Sequence, residues 1–156
     1  MGVLECISQN SELEEKIVDS CVERKSRCKL KLDGMNEHII LKGESLCSDQ
    51  KICDCFVFVE GDLESVALVE LKSGNAHASE IEEKFKNSLE SAIEILDECG
   101  VSVGDVRIYL IVLAKNWRTT EHKIIRRSKI RIRGIEEGII TGKCNNSLRD
   151  IISRLK

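Results

Sequence analysis

The sequence predicts an α/β domain of three layers, a mixed central sheet flanked by helices, and three observations predict it. Runs of β-branched residues recur in the first half of the chain. A long stretch, residues 79–99, has helical periodicity and contains neither glycine nor proline. The aliphatic run after it, residues 106–114, is apolar on both faces, as a strand covered from both sides of a sheet must be. At 156 residues the chain fits one domain spanning 1–156. Its apolar fraction is 42%, yet it has one Trp, one Tyr and three Phe, so Ile, Leu and Val must fill the core.

The elements follow in order. Residues 11–24 place Leu13, Ile17, Val18 and Cys21 at helical spacing, which predicts a first helix. Residues 29–32 alternate, Asp33-Gly34 makes a turn, and residues 37–42 form a second run closed by Gly43, so the pair reads as a hairpin or as two sheet-edge strands. Residues 52–60 and 65–72 are two strands joined by a short loop at Gly61-Asp62, hence antiparallel, and the second ends at Ser73-Gly74. In the helix of residues 79–99, Ser79 and Glu82 have capping-box spacing, and Gly100 ends it. The strand at residues 106–114 follows a crossover helix and is expected to run parallel to the strand before that helix. Residues 129–133 alternate to put Ile130 and Ile132 on one face and three cations on the other. A turn near Gly138 and Gly142 leads to a last helix at about residues 147–155. Proline is absent, so glycines mark the turns.

No run approaches the roughly eighteen apolar residues of a membrane span. The N-terminal stretch, with Glu5, Glu12, Glu14 and Glu15, lacks a basic and apolar export pattern. These features predict a soluble, cytoplasmic protein without a membrane partner. Eight cysteines invite either a disulfide framework or a metal cluster. The good core and the absent export pattern favour reduced, buried thiols. Cys53-Asp54-Cys55 is a CxC on an expected strand, whereas zinc knuckles favour CxxC pairs on turns.

Charge is unevenly spread. The chain carries a net −3, but residues 115–133 hold Lys115, Arg118, Lys123, Arg126, Arg127, Lys129, Arg131 and Arg133 against Glu121 alone. A compact cationic stripe on an acidic protein points to a polyanionic partner, the alternative being an edge strand kept soluble by its cations.

The chemistry sits on the two central strands. Asp54 interrupts an apolar strand, and Glu70 and Lys72, two apart near the end of the next, share a face. Unpaired carboxylates in a sheet are costly unless a cation compensates them or chemistry uses them. Two carboxylates and a backbone carbonyl are the hard oxygen donors Mg²⁺ prefers, and a nearby lysine can orient a water and stabilise charge on a phosphate under attack.

The pattern Cys53-Asp54, fifteen residues, then Glu70-Leu71-Lys72-Ser73-Gly74, followed by a long amphipathic helix and an aliphatic strand, resembles the PD-(D/E)xK nucleases. The likeness covers residues 52–114, with the basic segment 115–133 following, and Cys53 stands where the motif has proline. The resemblance implies a restriction-endonuclease-like core, Asp54 and Glu70 as metal ligands with the Leu71 carbonyl, and Lys72 as the catalytic lysine. It implies Mg²⁺ or Mn²⁺ as cofactor and endonuclease-type hydrolysis of nucleic acid, DNA rather than RNA. A further acidic ligand from the first helix is implied as well, for which Glu23 is preferred over Glu15 and Glu12, and a polar residue from the crossover helix region, among Lys84, Asn87 and His77.

Substrate binding is expected of Arg126, Arg127, Lys129, Arg131 and Arg133, which can track phosphates without reading bases. Trp117 is either a base-stacking residue or a packing cap. A duplex cutter needs two centres, which makes a homodimer or larger assembly plausible. Two other classes compete: a catalytically inactive nuclease-like module that binds nucleic acid or protein, and a metal-cluster or redox protein built on the cysteines.

Overall fold

The computed structural model describes residues 2–47, 49–72, 74 and 77–155. Its helices are α1 (Val3–Gln9), α2 (Ser11–Glu14), α3 (Gly43–Leu46), α4 (Ala78–Glu98), α5 (Thr119–Arg127) and α6 (Leu148–Ser153). Its strands are β1 (Ile17–Val18), β2 (Cys21–Glu23), β3 (Cys28–Leu30), β4 (His38–Lys42), β5 (Cys55–Val59), β6 (Glu64–Lys72), β7 (Val106–Ala114), β8 (Lys129–Ile132) and β9 (Ile135–Lys143). Seven strands form one mixed sheet in the order β1-β4-β5-β6-β7-β9-β8, and β2 and β3 form a separate ribbon. The α/β class and the mixed sheet are as expected.

The central strands follow their sequence signals. β5 and β6 are antiparallel, with Cys55 opposite Val69, and β6 and β7 are parallel across the α4 crossover, with Glu70 opposite Val112. β7 contributes Leu110, Ile111, Val112, Leu113 and Ala114 to the buried core, because helices cover one face and the ribbon with α6 covers the other. Alternation sorts the sheet. Phe56, Phe58, Val66, Leu68, Leu110 and Val112 pack under α4, while Val57, Ala67, Val69 and Ile111 pack toward Leu30, Leu148 and Ile151.

Local expectations fail where tertiary pairing competes with them. The helix expected at residues 11–24 stops at Glu14. Asn10 caps it by accepting from the Glu12 and Leu13 N–H groups, and Ile17 and Val18 then pair with Leu41 and Ile40 of β4. Glu23 is therefore on strand β2. The two runs around Asp33-Gly34 are not a hairpin, since β3 pairs with β2 while β4 joins the main sheet. The Ser79–Glu82 capping box does not form: α4 starts at Ala78, whose N–H donates to Glu121, and Glu82 accepts from Ser128 instead. Gly138 and Gly142 lie inside β9, and the turn that leads to the last helix falls beyond them at Cys144 and Asn145, the latter at positive φ. Helix α5 occupies part of the basic stripe, a segment with no helix expected. Ser73 of the expected Ser73-Gly74 turn lies outside the described residues.

The cysteines overturn the expectation of reduced thiols. Cys6 is bonded to Cys99, Cys21 to Cys55 and Cys28 to Cys144, leaving Cys47 and Cys53 free. The partners are 93, 34 and 116 residues apart, so no local spacing betrays them. A two-stranded ribbon is marginal alone. Two of the three bonds tie β2 and β3 to the rest of the protein, and the third ties α1 to the end of α4. Each removes loop-closure entropy from the unfolded chain. Alkylation followed by mass spectrometry is expected to label Cys47 in the native protein, Cys53 only after denaturation without reductant, and the remaining six only after reduction. More than two labels before reduction would contradict this pairing.

Candidate active site

Glu70 is the centre of the site. It sits two residues before the end of β6, on the α4 face, with its side chain 1% exposed. Burial of a carboxylate is tolerated only with close compensation, and α4 supplies it. Lys84 Nζ lies 2.6 Å from Glu70 Oε2, and Lys72 Nζ lies 3.5 Å from the same oxygen. Glu80, on the first turn of α4, spans both cations at 3.3 Å from Lys72 and 3.4 Å from Lys84. The other oxygen, Glu70 Oε1, is buried without a hydrogen-bond partner.

Asp54 reaches the same corner from a bend just before β5, not from inside the strand as expected. Its Oδ2 accepts the Leu71 N–H at 2.7 Å. The last rung of the β5–β6 ladder is Cys55 opposite Val69, so Leu71 lies beyond the end of strand pairing on that side. A strand residue points its N–H and C=O the same way, and the Leu71 carbonyl thus opens toward the Asp54 side. The bend is held from two directions. Ser88 of α4 accepts the Cys53 N–H at 2.8 Å, and the Gly43 N–H donates to the Asp54 carbonyl at 2.8 Å. A Cβ at Gly43 would stand 1.8 Å from the Cys53 carbonyl oxygen, so only glycine allows this approach.

The electrostatics follow from the geometry. Burial first, then the neighbouring Glu70 charge and side-chain hydrogen bonding between the two carboxyls, push the Asp54 carboxyl up to about 7, against the opposing pull of the Leu71 N–H and Lys84. Burial works to lower Lys84, but its hydrogen bond to Glu70 and the charges of Glu70, Asp54 and Glu80 outweigh it and raise the ammonium above its ordinary value. Lys72, and to a lesser degree Lys84, hold the Glu80 carboxyl below its usual range. Burial raises the Cys53 thiol, leaving it a neutral core group.

A polar cleft of about 730 Å³ opens beside Asp54 and Lys84, lined also by Asp19, Glu23, Arg24, Lys42 and Glu44. Glu23 thus faces the same cleft as Asp54, though its Oε2 is occupied by the Ser26 hydroxyl at 2.6 Å. Glu12 and Glu15 are exposed at α2 and do not line it. Among the described residues no three of His, Cys, Asp and Glu converge as a metal-binding group, neither with Glu23 nor among Cys47, Cys53 and Cys55. Of the helix candidates, Lys84 joins the centre. Asn87 instead holds the Lys51 carbonyl, and His77 is exposed before α4. Glu80 was not anticipated. Its i,i+4 relation to Lys84 is visible in the sequence, but the rotation of α4 that lays both over β6 is not.

The cationic residues divide. Arg126 and Arg127 end α5 and are exposed, as is Lys129. Arg131 pairs with Glu136 at 3.4 Å, and Arg133 pairs with Glu90 at 2.8 Å and Asp97 at 3.9 Å. Trp117 is a packing residue: its Nε1 donates to the Gly142 carbonyl, and its ring stacks on His122 with centroids 4.6 Å apart.

No protein-family model, curated protein or solved structure matches this chain. The geometry of the site alone supports a function.

Asp54 yields a pH prediction whose sign is opposite to the usual carboxylate case. Its folded value is raised from near 4 to about 7, so ionising it costs stability progressively as pH climbs through that window, and the cost is constant above it. In chelator, Asp54→Asn is expected to melt on the order of 5 °C above the native protein at pH 8 and close to it at pH 4. A variant less stable at both pH values would contradict the buried charge. Gly43→Ala is expected to lose about 2 kcal/mol or more in denaturant unfolding, since backbone must move to admit the methyl.

Proposed function

We propose that this chain is a metal-dependent nuclease of the PD-(D/E)xK type, with a restriction-endonuclease-like core, hydrolysing phosphodiester bonds of nucleic acid, DNA rather than RNA. The observation that carries this reading is the buried Glu70 carboxylate, whose Oε1 receives no N–H or hydroxyl, beside the Asp54 carboxyl at the point where the β5–β6 ladder ends. A fully buried oxygen without a donor is rare in a folded protein and asks for a cation. The donor set fits Mg²⁺ or Mn²⁺: two carboxylates and a carbonyl, with water completing the shell. A zinc site would ask for imidazole or thiolate, and the one free sulfur beside these carboxylates, Cys53, is a thiol that burial keeps protonated.

In this reading Asp54, Glu70 and the Leu71 carbonyl hold the ion, which when bound supplies Lewis acidity toward the phosphate and an acidified water. Lys72, at the partly exposed end of β6, offers its ammonium to the attacking water and to charge gathering on the phosphate. Glu80 fixes the direction of that ammonium. The cleft beside Asp54 admits the strand to be cut, and the exposed Arg126, Arg127 and Lys129 hold phosphates further along it. Arg131 and Arg133 can contribute after exchanging their carboxylate partners, since exposed ion pairs are worth little.

The test is incubation with linear, branched and single-stranded DNA and RNA in Mg²⁺ or Mn²⁺. The native chain is expected to cut at least one substrate. Glu70→Ala and Lys72→Ala should each lower the rate by about a hundredfold or more, with folding intact by circular dichroism. Cleavage that survives both substitutions, or that persists in excess chelator, would place the activity elsewhere or in a contaminant. Binding without cutting would support the inactive-module alternative.

A further inference from the structure

A centre built to receive a divalent ion holds an ammonium against its main ligand. Lys84 Nζ is 2.6 Å from Glu70 Oε2, a full charge-assisted hydrogen bond, and the same nitrogen is 3.4 Å from Glu80 Oε1. The two carboxylates differ in setting: the Glu70 side chain is 1% exposed and the Glu80 side chain 36% exposed. Glu80 precedes Lys84 by four residues on α4, the order of charges that favours an intrahelical pair. A small rotamer change exchanges one partner for the other. A divalent ion at Glu70 would repel the ammonium beside it, and Glu80 is the acceptor within reach.

Resting on the metal-site reading, we propose that Lys84 is a built-in counter-cation that occupies Glu70 until the divalent ion binds and then moves to Glu80, so that these two residues set the affinity of the site from opposite directions. Lys84 keeps the buried carboxylate compensated while the ion is absent, at the expense of competing with it. Glu80 lowers that competition by giving the displaced ammonium somewhere to go. Both are positioning residues in this role. Neither is required to touch the substrate.

The test is calorimetric titration of the full chain with Mn²⁺, using Lys84→Met, which keeps the aliphatic stem, Glu80→Gln, and the double variant. Lys84→Met is expected to bind Mn²⁺ about tenfold tighter, and Glu80→Gln about tenfold weaker, within the range of ordinary coupling between sites. The loss caused by Glu80→Gln should shrink in the Lys84→Met background, the remainder coming from Lys72, which Glu80 also holds. Glu80→Gln leaves the Glu70–Lys84 pair intact and gives a folded comparison if Lys84→Met unfolds. Unchanged or weaker binding in folded Lys84→Met, or a Glu80→Gln effect of undiminished size in the double variant, would overturn the counter-cation role while leaving the metal centre standing. Absence of Mn²⁺ binding in the native chain would overturn the metal centre and this role with it.

Discussion

The rest of the site is arranged around one buried carboxylate at the end of a central strand. Glu70 is held on the covered face of β6 by strand alternation, the same alternation that buries Val66 and Leu68 under α4. It cannot turn to solvent without reversing the register of the whole strand. Its compensation therefore has to come to it. Lys72 arrives by being two residues further along, and Lys84 by the pitch of α4, whose Ile81, Phe85 and Leu89 are fully buried and leave the helix no freedom to rotate away. The Asp54 bend is pinned to the same helix through Ser88. Loss of α4 packing would scatter the centre before it touched any one of its side chains.

Much of this was legible in the sequence because the relevant patterns are periodic. Glu70 and Lys72 on one face, the α4 crossover and the parallel β6–β7 pair all follow from spacings of two and of three to four residues. The Asp54 partnership was legible only as an approximation: a polar residue in an apolar run looks like a strand position, yet the structure puts it one residue outside, where its carboxylate caps Leu71 in place of a ladder bond. What periodicity could not supply is long-range closure. Residues 11–24 carry a helical pattern of apolar residues, but Ile17 and Val18 are β-branched and find a partner strand in β4, and Cys21 is tethered to Cys55. The helix α5 was hidden because its basic residues read as a stripe before they read as a face; Ile125 is its one fully buried residue.

The disulfides bear on the site as well as on stability. Cys55 follows Asp54 directly, and its bond to Cys21 brings the ribbon strand that carries Glu23 to one wall of the cleft. The bonds add to an apolar core that occupies both faces of the sheet. They fix peripheral pieces that bury little on their own account: a short helix and a two-stranded ribbon. In the proposed function this matters because the cleft wall opposite α4 is made of that ribbon, and its position decides what can approach Asp54.

The basic segment and the acidic centre present the remaining problem of charge. A polyanion approaching Asp54 meets Asp19, Glu23 and Glu44 along the cleft, and these carboxylates repel it. Arg24, Lys42 and Lys84 line the same walls, so the cleft is mixed in sign and not a cationic channel. Attraction over distance must then come from the exposed cations of α5 and β8. Of these, β8 lies beyond β7 and β9 from β6, about 14 Å away at ordinary strand spacing, while α5 packs on β9 and reaches the start of α4 through Glu121. The β8 separation exceeds a Debye length at physiological ionic strength, so Lys129 acts on phosphates it touches and contributes little at the reacting one. In the proposed mechanism, charge compensation at the bond being broken falls to Lys72 and the metal ion. A nucleic acid seated on the stripe would be positioned by it, and the local carboxylate–lysine balance around Glu70 would govern its chemistry.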